Sequence, residues 1–306
     1  MHNYSLADLS VMDQPLLLSK PPKITFSCAV GAKANYRIAM ENHFLSPKGS
    51  LLKKQNLCAG YTRTIMSALT DYSAFLGFVW DSVDFESENW REKSSRTQWT
   101  FAHGLKFSHY RTYPEPILPG NNGVESTGDF DIAGVDYSHL VTTPSVNLLY
   151  MLSWDVIGFE EMLSHITGRL ESFTETSKPV DIDTVTGTYA HLFFQGCMEK
   201  ESFFKNGNFS AAYLGLSAWK GNMGVLFEYQ CLGELAVYNA RTDADATNQT
   251  GSSYYFGKLL VDLRTGDLLR GDMTELITCV IVNKENKWIP QQKRRLVVLE
   301  RLELFE

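Results

Sequence analysis

Between Trp219 and Phe305 the chain alternates apolar and polar residues again and again, most clearly over Ser252–Val282. Ser253-Tyr254-Tyr255-Phe256-Gly257-Lys258-Leu259-Leu260-Val261-Asp262-Leu263 runs into Arg264-Thr265-Gly266-Asp267, and Leu268 to Val282 is again rich in apolar and β-branched residues. Two such runs joined by a short turn containing glycine predict an antiparallel hairpin. Gly221–Tyr238 sets Val225, Phe227, Tyr229, Cys231, Leu235 and Val237 against Glu228, Gln230 and Glu234, and Arg294–Phe305 predicts a last strand. A chain committed to this many strands must hide their edges, by closing the sheet on itself or by covering it. That demand constrains the rest of the molecule.

The N-terminal half carries a block of similar character. Lys23–Gly31, Asn35–Leu45, Gly60–Thr70, Ser73–Glu86 and Gln98–Tyr113 read as strands, with Ser46–Ser50 as a turn and Ser87–Arg96 as a charged loop. In Ser73–Glu86 the residues Leu76, Phe78 and Trp80 share one face, as the two-residue period of a strand requires. Tyr189–Cys197 and Phe209–Ala218 add strands to the second half, while Arg241–Gly251 reads as a polar loop.

Two stretches break the pattern. Pro114–Thr143, with its prolines and Pro119-Gly120-Asn121-Asn122-Gly123, predicts a long ordered loop, of the kind that rims a site, or a linker between domains. Thr143-Pro144 then offers a helix start, with threonine as cap and proline in the first turn. Ser145–Phe173 is the helical candidate: Met162, Leu163, Ile166 and Leu170 recur at helical spacing, whereas residues 145–155 are apolar nearly all round and fit a helix or a central strand. The expected organisation is an arm over 1–22, a first β block over 23–143, a helical insert over 144–176 and a second β block over 177–306. The fold class is mainly β (α+β): a large antiparallel sheet or a lipocalin-like barrel, in one piece or as two half-barrels, with one long central helix.

Composition limits function more than it names it. A net charge of −7 argues against a nucleic-acid binder, which needs a basic surface to neutralise phosphates. The compact basic cluster Lys293-Arg294-Arg295 reads as a solvated strand start. Five scattered cysteines without a CxxC fit free thiols in a reducing compartment, so the expected location is cytoplasmic. Val146–Phe159, the longest nearly apolar stretch, holds Asp155 and is too short to span a bilayer, which takes about 20 apolar residues. No P-loop, strand-anchored GxGxxG, HExxH, GxSxG or EF-hand pattern occurs, so no cofactor or metal is expected.

What remains are ionisable residues on apolar rows, where burial can move a pKa toward neutrality. Asp155 lies inside Leu148–Ile157. His103 shares a row with Phe101, Leu105 and Phe107, and His191 sits in Tyr189–Phe193. Asp81, Glu275 and Glu300 lie on mixed rows, with Arg264 and Arg270 as candidate partners, and Cys197 with His191 as base is a weaker pairing. Aromatic residues, at 12% of the chain, suit both strands and apolar pockets.

The favoured expectation is a cofactor-free acid–base enzyme, an isomerase, cyclase or lyase, acting on a hydrophobic small molecule. Asp155, His103 and His191 would move protons, and Trp80, Trp99, Tyr113 and Trp154 would shape the pocket. The alternatives are a non-catalytic carrier of an apolar ligand and a structural or interaction protein with a filled core.

Overall fold

The structure is a computed structural model that describes residues 18–70, 73–89, 92–112, 144–182, 189–191, 203–205, 208–232, 237–242, 247–282 and 285–302. The expected loop at 114–143, Tyr113 and Cys197 lie outside them. The strands are β1 (Lys33–Leu45), β2 (Leu51–Thr70), β3 (Ser73–Asn89), β4 (Glu92–Gln98), β5 (Lys106–Thr112), β6 (Val180–Ile182), β7 (Tyr189–His191), β8 (Phe203–Lys205), β9 (Asn208–Trp219), β10 (Asn222–Leu232), β11 (Val237–Thr242), β12 (Thr247–Asp262), β13 (Leu268–Val282) and β14 (Trp288–Arg301), with one helix, α1 (Pro144–Thr167).

All strand pairings are antiparallel, and the main path through the sheet runs β4-β3-β2-β1-β14-β13-β12-β10-β9-β6. The first and last long strands, β1 and β14, pair from Tyr36↔Arg301 to Leu45↔Gln292, which joins the two sequence blocks into one sheet. The expected antiparallel sheet with a single helix is therefore present. It is not closed into a barrel: among the described residues β4 and β6, at the two ends, do not pair with each other.

The C-terminal hairpin forms as β12 and β13. Its turn is held by Asp262 N–H donating to the Asp267 carbonyl and by Gly266 N–H donating to the Asp262 carbonyl. Gly266 has φ +69°, and a Cβ there would lie 2.3 Å from the Phe26 ring, so two constraints select glycine. Residues 23–31, expected as a strand, instead run as an irregular segment along this turn. Thr25 N–H donates to the Leu263 carbonyl and Ser27 N–H to that of Thr265, and Ile24 enters the core. The charged loop expected over 87–96 belongs largely to β3 and β4, because charge does not prevent an exposed edge from pairing. The strand expected over 98–113 is broken at Thr100–Ala102 by a 3-10 turn, so β4 and β5 pair with different parts of β3.

Residues 145–155 are helical. Ser153, Ser164 and Thr167 each donate a hydroxyl hydrogen bond to the carbonyl four residues earlier, so these buried side chains are satisfied within the helix. Among the described residues no helix is long and apolar enough to cross a membrane.

The inner rows of the sheet and the buried side of α1 form one apolar cluster. It joins Tyr36, Ile38 and Met40 of β1, Leu76, Phe78 and Trp80 of β3, and Val225, Phe227 and Tyr229 of β10 to Leu152, Val156, Phe159 and Leu163 of α1. Ten strands make a sheet about 43 Å wide at ~4.8 Å per spacing, against about 10 Å for a helix. Phe78 of β3 and Tyr213 of β9, near opposite ends, are both fully buried in this cluster. The helix also meets β13 at Gly271, where an added Cβ would lie 2.8 Å from the Phe159 ring. A smaller outer cluster gathers Leu226, Leu260 and Leu269 beside Leu214 and Trp219.

Candidate functional site

Alternation along β14 turns Arg295, with Val297 and Leu299, into the inner row. The reading of Lys293-Arg294-Arg295 as a solvated strand start holds for exposed Arg294 and fails for Arg295, which is buried. The register places Arg295 across from Glu275 of β13 and Asn42 of β1. Its guanidinium donates to Asp155 Oδ2 of α1 at 2.5 Å and to Glu275 Oε2, and Nη2 also lies 3.4 Å from Met40 Sδ. Ser253 of β12 donates its hydroxyl to the other Glu275 oxygen at 2.6 Å. Burial pushes the Asp155 carboxyl up to about 6, opposed by the neighbouring Arg295 and reinforced by Glu275. Burial lowers the Arg295 pKa, but Asp155 and Glu275 outweigh it and hold the guanidinium charged. Asp155 thus sits where the apolar run predicts, buried, and it is one arm of a three-way ion pair.

A second network of the same design lies further along α1. Arg63 of β2, 2% exposed, pairs with Asp267 Oδ2 at 2.9 Å and approaches Glu160 Oε1 of α1 at 3.5 Å. Its guanidinium also lies over the Tyr36 ring at 5.5 Å. Asp267 stands 3.7 Å from Arg301, which is equally near Asp262. Each network joins one sheet arginine to one helix carboxylate and one carboxylate of β13 or its turn. Together they pin α1 to the sheet at Asp155 and Glu160. Sequence reasoning missed Arg63, Glu160, Asp267 and Arg295, although the parity of Arg295 with Val297 and Leu299 was a usable signal.

His103 is in the turn before β5, exposed, and its Nδ1 donates to the Asp81 carbonyl at 2.8 Å. Among the described residues no hydrogen bond or ion pair joins it to Asp155. His191 lies in β7, across from Phe203, and Trp154 lies in α1; their side chains are outside the described residues. Trp80 is buried edge-on to Tyr61 at 5.5 Å, and Trp99 stacks on Phe85 at 5.0 Å. Asp81 is exposed and accepts from the Thr62 hydroxyl, while Glu300 pairs with Arg37 rather than Arg264. Arg270 lies over the Trp219 ring at 4.3 Å. Among the described residues no group of three or more His, Cys, Asp or Glu side chains is arranged to hold a metal.

Several polar atoms of this enclosure are buried and lack a hydrogen-bond partner among the described residues: Tyr36 Oη, Tyr213 Oη, Asn42 Oδ1, Arg63 Nε and Arg295 Nε. Tyr36 and Arg63 meet at the Glu160 network, and Asn42 faces Arg295 in the β1–β14 register.

No protein-family model matches the sequence, and comparison with curated proteins finds no match. Among solved structures, one of lipovitellin that describes lipid–protein interactions is 10% identical with a TM-score of 0.42; the match covers 90% of this chain and 26% of that one. A putative lipoprotein from Parabacteroides distasonis is 8% identical with a TM-score of 0.19, covering 92% of this chain and 100% of that one. A putative AttH from Nitrosomonas europaea is 11% identical, also with a TM-score of 0.19, covering 89% and 53%. The chain therefore spans about a quarter of the lipovitellin chain it matches.

Proposed function

We propose that this protein binds a neutral, largely apolar molecule between α1 and the inner face of the sheet. The observation that carries this reading is the chemistry of that face: continuous apolar rows interrupted by a few buried polar atoms without partners, chiefly Tyr36 Oη, Asn42 Oδ1 and Tyr213 Oη. Apolar linings with a small number of polar groups are what ligand sites present. An unmet buried polar atom costs about 1–3 kcal/mol, which a ligand hydroxyl or carbonyl placed against it would recover. The charges along this face disfavour an acidic ligand. Arg63 and Arg295 are each matched by two carboxylates, which leaves no surplus positive charge to attract an acidic head group.

The test is solvent extraction of the purified protein followed by mass spectrometry, together with titration by a fluorescent acylglycerol or sterol analogue. Stoichiometric recovery or saturable binding is expected. Tyr36→Phe separates a ligand contact from a structural role: it removes an unmet hydroxyl, so stability should hold or rise while binding weakens several-fold. Absence of both an extracted molecule and saturable binding refutes the reading.

The acid–base enzyme is the second reading, favoured by the Asp155 carboxyl at about 6. In it Asp155 moves the proton, and His191 is its candidate partner. His103, exposed and bonded to the Asp81 carbonyl, is the weaker choice. Asp155→Asn should then abolish turnover while leaving ligand binding intact.

A further inference from the structure

One end of the sheet has a character the core does not explain. Antiparallel pairing of β1 with β14 brings the β1–β2 turn and the turn end of the β13–β14 hairpin to the same edge. The last β1 residue in that pairing, Leu45, stands opposite Gln292, so among the described residues Trp288–Gln291 of β14 continue beyond β1 with β13 alone paired to them. The hairpin end is apolar: Val280↔Pro290, Ile281↔Ile289 and Val282↔Trp288. Trp288 is 74% exposed and Ile289 47%, and at the adjacent turn Leu51 and Leu52 are exposed too. Trp288 and Pro290 point to the outer face with Arg294, whereas Ile289 shares the inner row of Arg295. Apolar side chains thus emerge on both faces of the tip.

The charge of these two hairpin ends is opposite to that of the chain. Ser46–Lys54 and Asn283–Arg294 together hold seven Lys and Arg residues (48, 53, 54, 284, 287, 293 and 294) and one acid, Glu285, in a protein of net charge −7. Lys53 and Lys293 flank the Phe44 ring at 5.7 and 5.5 Å, with their stems along the apolar edge. Lys287 pairs with Glu285, and Lys54 with Glu41.

We propose that this end of the sheet docks on a lipid surface bearing anionic head groups, with Trp288, Ile289, Leu51 and Leu52 entering the interface and the exposed Lys48, Lys287 and Arg294 meeting the head groups. Tryptophan prefers the membrane–water boundary, and flanking basic residues add attraction to anionic lipid. The two-faced tip favours end-on insertion over a protein partner, which would cover one face. Pro290 and the surrounding lysines oppose strand pairing with a second copy, since proline lacks a donor and lysine guards edges. The inference stands apart from the ligand reading, because none of these side chains belongs to the inner apolar cluster.

The experiment is flotation of the full chain with phosphatidylcholine vesicles, with and without phosphatidylserine, at low and raised salt. Binding should require phosphatidylserine and fall with salt. Trp288→Ser with Ile289→Ser, and separately Leu51→Ser with Leu52→Ser, should each weaken partitioning roughly tenfold or more. Their thermal unfolding should be unchanged, because the side chains are exposed. Brominated lipid should quench the tryptophan fluorescence of the parent protein and spare Trp288→Phe. No flotation on phosphatidylserine vesicles overturns the proposal, as does flotation indifferent to both double substitutions. Sedimentation showing a dimer that Trp288→Ser dissolves overturns it in favour of self-association.

Discussion

Replacing Arg295 by methionine tests the central claim that α1 is pinned by buried charge. In the native protein the guanidinium serves Asp155 and Glu275 at once, and all three side chains are buried. Arg295→Met keeps much of the apolar stem but leaves two carboxylates facing each other without a counter-charge. Removing one partner of a buried pair costs about 3–5 kcal/mol. The converse change is cheap. Burial already raises the Asp155 carboxyl from the ordinary 3.8 to about 6, so its charge at neutral pH is held at a cost of about 3 kcal/mol relative to an unshifted acid. Asp155→Asn removes that cost and leaves Arg295 paired with Glu275, so it should stay within about 1 kcal/mol of the parent at pH 8 or exceed it. The two sites should also couple: in the Asp155→Asn background the Arg295→Met penalty should shrink by about 1–3 kcal/mol, since one fewer carboxylate is stranded. Urea unfolding of the four proteins at pH 8 reads all of these quantities. A loss below about 1 kcal/mol for Arg295→Met, or an equal loss with and without Asp155, refutes the pinning argument.

Asp155 at about 6, Asp272 at about 6 and Glu161 at about 7 are all raised, with burial as the leading cause in each. The folded state therefore holds more protons than the unfolded state between about pH 4 and 7, and the stability they confer below pH 4 is lost as pH rises through 6 to 7. His165, lowered by burial and then by Arg169, works the other way, gaining stability as pH rises toward 6.5. Unfolding free energy measured against pH should slope downward over this range, and Asp155→Asn should flatten it. Gly271→Ala places a Cβ 2.8 Å from the Phe159 ring and 3.2 Å from Leu259, so it should destabilise by about 1–3 kcal/mol in a thermal melt, and Phe159→Leu should relieve part of that. Arg63→Met strands Glu160 and Asp267 together and should cost about as much as Arg295→Met, 3–5 kcal/mol, by urea unfolding.

Much of this architecture is legible in local sequence. The hairpin of β12 and β13 announces itself through two apolar runs about Arg264–Asp267, and α1 through Thr143-Pro144 and the spacing of Met162, Leu163 and Ile166. A two-residue period fixes which side chains share a face, and it fixed Arg295 with Val297 and Leu299 as surely as it fixed Phe78 with Trp80. Which face becomes the interior depends on what lies opposite, and no local pattern contains that. The pairing of β1 with β14, separated by most of the chain, decided that Arg295 faces inward. The path of α1 across the sheet decided that Asp155 and Glu160 meet arginines rather than water. The same holds for what failed locally: residues 23–31 carry a strand-like pattern but lie along the β12–β13 turn, and 98–113 is broken because β3 is shared between β4 and β5. The sequence by itself determined the strands, the helix and the polarity of each row. The tertiary structure decided that the sheet packs on the helix without its end strands pairing among the described residues, and that two buried arginines hold the two together, because burial and charge pairing are set by neighbours brought from far along the chain.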